Sequence, residues 1–178
     1  MEIRKLKIFE ENFIPDPDYK SYETEKIFVV STIETANSFE FNLREKNQYY
    51  QKICKTELHD IEYLNAVAQQ GHSFGIFENE ELIGWIICDY RGKNNSLFIE
   101  NLWIHKKFRK QNIGRLLIKN INREARNLQC RIVEAELSNT NYPAIKFFLK
   151  AGFQFTGINT KLYNNSTETA LFMSFDLI

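Results

Sequence analysis

Between Glu100 and Arg115 the chain reads ENLWIHKKFRKQNIGR, an apolar run that passes directly into the cationic turn Lys106-Lys107-Phe108-Arg109-Lys110. Behind that turn, Gln111, Asn112, Ile113, Gly114 and Arg115 lead into a helical pattern. The start of a helix leaves backbone N–H groups without partners and carries partial positive charge. Small residues there let the backbone approach a phosphate, and flanking Arg and Lys add charge-assisted hydrogen bonds. This is the chemistry a pyrophosphate needs. The lack of GxxxxGK[ST] argues against a P-loop NTPase, and no GxGxxG supports a dinucleotide site. The plainer alternative is a solvated basic loop ahead of an amphipathic helix.

Carboxylates form the second candidate group. Strand alternation puts Phe98, Glu100, Leu102 and Ile104 on one face, so Glu100 would sit among apolar neighbours. Such surroundings raise a carboxyl group's proton affinity towards the working range of a general base. The structural alternative for Glu100 is a salt-bridged or edge carboxylate. Glu134 and Glu136 share one face of a later strand and could hold a cation, with Glu136 preferred because it lies nearer the strand's C-terminal end. His59, His72 and His105 show no ligand spacing such as HxxxH, so no metal is expected. Cys88, inside an apolar strand, reads as packing rather than as a nucleophile.

Several elements must position these groups. A first strand precedes a turn-rich connector at Pro15-Asp16-Pro17-Asp18, and strands follow over 26–35 and 38–44. Leu58, Ile61, Leu64 and Val67 mark a helix over 57–70 that Gly71 ends. Strands over 73–78 and 81–89 join through Asn79-Glu80 as a hairpin, and a further strand covers 97–105. Ile113, Leu116, Leu117, Ile121 and Leu128 then line one face of a helix, with Lys119, Asn122, Arg123 and Arg126 largely opposite. A strand over 131–137, a helix over 141–150 with Pro143 in its first turn, and strands over 153–158 and 170–175 complete the order. Strands before, between and after helices predict a mixed α/β sheet rather than a doubly wound fold.

The chain has 178 residues, 43% of them hydrophobic and 26% charged, as expected of a single globular domain over 1–178. Lys+Arg 23 balance Asp+Glu 23, which argues against a nucleic-acid binder, since that needs a basic face. Three dispersed cysteines without CxxC argue for reduced thiols and a cytoplasmic location. No long apolar segment predicts a membrane span.

Arg109-x-x-Asn112-x-Gly114, placed after the strand Ile99–Ile104, resembles the acetyl-CoA signature of GNAT-type N-acetyltransferases, Arg/Gln-x-x-Gly-x-Gly/Ala, with Asn112 where the first glycine is usual. Asn141-x-x-Ala144-Ile145, followed by Phe147-Phe148-Leu149-Lys150-Ala151-Gly152-Phe153, resembles the family's second cofactor-side motif. Phe108-Arg109-x-Gln111-x-Ile113-Gly114 and Gly157-Ile158-x-Thr160-x-Leu162-Tyr163 narrow the resemblance to the streptothricin acetyltransferase branch, over roughly residues 73–178.

The resemblance implies a central twisted mixed sheet of about seven strands, flanked by helices and splayed at the cofactor cleft. It implies acetyl-CoA as co-substrate, with no metal, and direct acetyl transfer to a primary amine of a small cationic molecule such as streptothricin. The alternatives are a protein N-terminus, a lysine or a metabolite amine as acceptor, or a non-catalytic acyl-CoA-binding module. A homodimer is the one macromolecular partner the family suggests.

For the site, the resemblance implies that the main chain of Trp103 and Ile104 pairs with the pantetheine arm. Arg109, Lys110, Gln111, Asn112, Ile113, Gly114 and Arg115 would hold the pyrophosphate. Asn112 fits this role because Asn tolerates a positive φ. Asn141, Ala144 and Phe148 would complete the cofactor side. Glu100 is the first candidate base and Glu136 the substrate carboxylate. Many family members have Tyr where Phe148 stands and use it to protonate the departing thiolate, so here the proton would come from Tyr163, Tyr142 or water.

Overall fold

The computed structural model describes residues 1–8, 20–55, 57–165 and 167–177. The connector expected at Pro15–Asp18 lies outside them. Among the described residues the elements run β1 (Glu2–Lys5), β2 (Tyr22–Glu34), β3 (Phe39–Lys52), α1 (Leu58–Ala68), β4 (Phe74–Glu78), β5 (Glu81–Arg91), β6 (Ser96–Ile104), α2 (Ile113–Asn127), β7 (Ile132–Ser138), α3 (Tyr142–Lys150), β8 (Gln154–Asn159) and β9 (Ala170–Asp176). Seven strands form one mixed sheet in the order β1-β4-β5-β6-β7-β9-β8, while β2 and β3 make a separate ribbon. The mixed α/β architecture matches the expectation.

The chain divides into two compact units, one of Met1–Lys20, Cys54–Ala135 and Phe175–Ile178, the other of Ser21–Ile53 and Glu136–Ser174. In the first unit, β4 and β5 meet at Asn79 and Glu80, both at positive φ (49° and 65°), the geometry of a tight hairpin whose twist suits the strands it joins. β5 and β6 are antiparallel, and α2 carries the chain to a parallel β6–β7 ladder. Trp85 and Trp103 lie directly opposite one another in the β5–β6 register and stack with ring centroids 4.4 Å apart. Around them Leu6, Leu64, Val67, Leu82 and Ile87 form an apolar core, and burying each such side chain contributes about 1.5–3 kcal/mol. Gly84 faces Ile104 in that register, and a Cβ on it would lie 2.9 Å from the Trp103 carbonyl oxygen, so no larger residue fits beside β6.

α2 buries Ile113, Leu117, Ile118, Ile121 and Ala125. Leu116, expected on that face, is 44% exposed, and Asn122, expected outside, is buried. At 100° per residue Leu116 falls about 60° short of Ile113, beyond the buried arc, while Ile118 takes its place.

In the second unit, the β2–β3 ribbon is longer than the expected strands at 26–35 and 38–44. Pairing continues from Tyr22↔Lys52 to Glu34↔Phe39, interrupted by a register shift between Thr24 and Lys26. The polar run Glu45–Lys52 lacks an apolar alternation, so only the cross-strand ladder reveals it as strand. Asn139 ties this ribbon to the chain near Thr169: its Nδ2 donates to the Phe28 carbonyl at 2.7 Å and its Oδ1 accepts the Thr169 amide at 2.7 Å.

Candidate active site

The basic turn forms a short 3-10 segment over Lys106–Phe108, and Arg109 then returns to an extended conformation. Lys110 and Asn112 both take positive φ, 62° and 63°, so the backbone reverses twice before α2 begins. Among the described residues no side chain caps α2, whose N-cap is Asn112. Its first intrahelical bond runs from the Leu116 amide to the Asn112 carbonyl at 3.1 Å, which leaves the amides of Ile113, Gly114 and Arg115 ahead of that bond. Arg109, Lys110, Gln111, Asn112 and Arg115 are exposed around this end, while Ile113 and Gly114 are buried against the unit. The Arg109 Nε donates to the Ile104 carbonyl at 2.9 Å, fastening the turn to the end of β6.

β6 itself has an unfinished edge. Its parallel ladder with β7 runs from Ser96↔Ile132 to Ile99↔Ala135, and β6 continues to Ile104 beyond the last rung. Trp103 is 3% exposed and its ring belongs to the core, so what this position offers outward is main chain. A strand edge of this kind accepts an extended ligand as it would another strand. Open amides, cationic rim and free edge fit a coenzyme with a pyrophosphate and a pantetheine arm.

Glu100 lies where β6 departs from regularity. Ile87 pairs with Asn101 and Cys88 with Ile99, so Glu100 is the extra residue of a β-bulge. The strict alternation expected along this strand therefore breaks at the candidate base. The Glu100 side chain is 13% exposed, and Arg91 Nη2 donates to its Oε1 at 3.2 Å. The Arg91 guanidinium sits 3.5 Å from the Phe98 ring centroid, and its Nε reaches Asp89 Oδ2 at 3.2 Å. Burial, followed by the nearby Glu100 carboxylate, pushes the Tyr63 phenol up to about 12. Cys88 is fully buried, and burial raises its thiol well above the ordinary range, as suits a packing residue.

The second unit holds the remaining candidates. Tyr163 donates from its hydroxyl to Glu136 Oε1. Burial, and then the Glu136 carboxylate, raise this phenol far above its usual value, which keeps it protonated. Close by, Glu168 is only 2% exposed and accepts from Tyr50 Oη at 2.8 Å and Lys52 Nζ at 2.6 Å. Burial pushes Glu168 up, but Lys52 and Tyr50 outweigh it and hold the carboxyl below its ordinary range. Tyr142 donates instead to Glu45 at 3.0 Å. Asn141 caps α3, its Oδ1 accepting the Ala144 amide at 3.2 Å. Phe148 is buried, edge-on to Phe153 with centroids 4.9 Å apart.

Residues 36–153 match the family model for acetyltransferases of the GNAT family. The chain belongs to the GNAT acetyltransferase family. This GNAT chain is 32% identical over 97 residues to the streptothricin acetyltransferase of Streptomyces lavendulae, a stretch that is 53% of this chain and 51% of that enzyme. It thus spans about half the length of that curated relative. Its fold is also that of a nourseothricin acetyltransferase crystal structure, with a TM-score of 0.78 at 23% identity over 99% of this chain and 98% of the other. A protein described as a streptothricin acetyltransferase from Bacillus anthracis str. Ames, solved with acetyl coenzyme A, superposes with a TM-score of 0.72 at 22% identity over 98% and 96% of the two chains.

Three residues of this GNAT chain escaped the sequence reading: Arg91, Tyr63 and Glu168. Arg91 stood in a polar turn and Tyr63 on the polar side of a helix, where charge and phenol are ordinary. Glu168 lies in the polar stretch NNSTET, and only its burial sets it apart.

Proposed function

We propose that this protein transfers the acetyl group of acetyl-CoA to a primary amine of a small cationic acceptor, of the kind named for its streptothricin acetyltransferase relatives. The observation that carries the reading is the uncapped start of α2 beside the unfinished edge of β6. Arg109 through Arg115 hold the diphosphate by amides and charge, and the main chain at Trp103 and Ile104 holds the pantetheine arm. Bound acetyl-CoA supplies an acyl carbon activated as a thioester.

The chain's own carboxylates serve the acceptor. Glu100 takes a proton from the acceptor ammonium, directly or through water, as the N–C bond forms and the C–S bond breaks. The sulfur collects its proton from water, since Phe148 offers no hydroxyl. In the resting protein Glu136 draws the Tyr163 hydroxyl towards itself. Glu136 offers its carboxylate to a cationic acceptor.

The test is release of free thiol from acetyl-CoA across a panel of amines: streptothricin and nourseothricin, polyamines, aminoglycosides and peptides. Turnover with small cations and none with peptides supports the reading. Transfer to peptides alone moves the function to protein substrates. Tight coenzyme binding with no transfer to any amine replaces the enzyme with an acyl-CoA-binding module.

A further inference from the structure

Arg91 ends β5 and pairs in register with Ser96, four residues before Glu100, yet its side chain runs back along β6 to reach that carboxylate. The route is fixed by the Phe98 ring under the guanidinium at 3.5 Å and by Asp89 at its Nε. Gln70 in turn holds Asp89, donating from Nε2 at 2.8 Å. An exposed ion pair contributes little. This one differs because its acidic partner is 13% exposed and sits on a bulge, where the strand ladder does not hold it.

We propose that Arg91 is a positioning residue for Glu100, fixing the bulged carboxylate in one orientation. The inference rests on Glu100 being the base. Arg91 acts through the carboxylate it bonds. The titratable groups around Glu100 are Arg91, Asp89 and Cys88 from β5, Tyr63 from α1, and Glu134 of β7, in register with Phe98. From α2, Glu124 acts on Cys88. Arg91 is the cation in hydrogen-bonding contact with Glu100 and Asp89, so its removal leaves two neighbouring carboxylates to repel one another. Glu100 then binds a proton more readily, and the base is lost at a higher pH.

The experiment is the pH profile of kcat/KM for an accepted amine in the parent and four variants. E100Q identifies the part of the acidic limb that belongs to Glu100. R91M should move that part upward by about one pH unit, so that activity below the limb falls roughly tenfold, while KM for acetyl-CoA stays within about twofold. R91K, which keeps the charge, should return the limb more than halfway. Should R91M fail to fold, R91Q and R91K provide the same contrast between a neutral and a charged side chain. A limb at the parental pH in the neutral variants, when E100Q has abolished it, overturns the role of Arg91 alone. A limb that survives in E100Q overturns the base and this inference together.

Discussion

At the start of α3 the Asn141 side chain accepts the Ala144 amide, and Pro143 occupies the first turn, where no N–H is needed. At the start of α2 the corresponding residue is also an asparagine, but Asn112 stands at φ 63° and its side chain makes no cap. With φ −83° and ψ 62°, Asn141 brings its side chain to a helix amide, whereas the left-handed backbone of Asn112 leaves its side chain without such a bond. One residue type thus closes one helix and leaves the other open. The lesson is that backbone conformation, more than side-chain identity, decides whether a helix end serves the fold or a ligand.

The sharpest way to break this contrast is N112D, which puts a fixed negative charge at the open end. Acetyl-CoA affinity should fall by roughly 30- to 100-fold, as expected when charge-assisted bonds worth about 2–3 kcal/mol are opposed. Helix stability should hold or rise, because the dipole favours a carboxylate there. Isothermal titration with coenzyme and a thermal melt, done side by side, read both. A coenzyme affinity unchanged in N112D would mean that this end does not hold the diphosphate.

R109A comes next. It removes one cation from the rim together with the bond to the Ile104 carbonyl, and should raise the steady-state KM for acetyl-CoA roughly fivefold to tenfold. N141A strikes the closed end instead. Loss of the cap should cost about 1 kcal/mol, or about 2–4 °C in Tm for a chain of this size, with a smaller effect on coenzyme KM than R109A. If N141A raised KM more than it lowered Tm, Asn141 would be serving the coenzyme more than the helix. The smallest effect belongs to N112G, which restores the glycine usual in the family signature. Relief of left-handed strain is offset by extra freedom in the unfolded chain, so stability should stay within about 0.5 kcal/mol and KM within about twofold.

Much of this was legible before any coordinates. The strand-to-helix passage at Glu100–Arg115 was legible from its apolar run and the helical pattern behind it, and Asn112 suited the positive φ it adopts. The turn at Asn79-Glu80 and the helix with Pro143 in its first turn were likewise readable from local chemistry. What stayed hidden depends on contacts distant in sequence. The bulge at Glu100 exists because of how Ile87 and Cys88 align, which nothing in ENLWI reports. Glu168 became a buried acceptor through Tyr50 and Lys52, more than a hundred residues earlier. The far half of the β2–β3 ribbon, Glu45–Lys52, is polar on both faces, so the periodicity that marks other strands is missing there.

The stacked pair Trp85 and Trp103 accounts for both tryptophans of the chain, and the second belongs to β6. At 4.4 Å between ring centroids the two indoles are electronically coupled, so the native protein should give an exciton couplet in its ultraviolet circular dichroism. All indole emission then originates beside β6, the strand that runs on past its ladder with β7. The molecule carries a built-in optical reporter, and occupancy of that edge should be readable without any label.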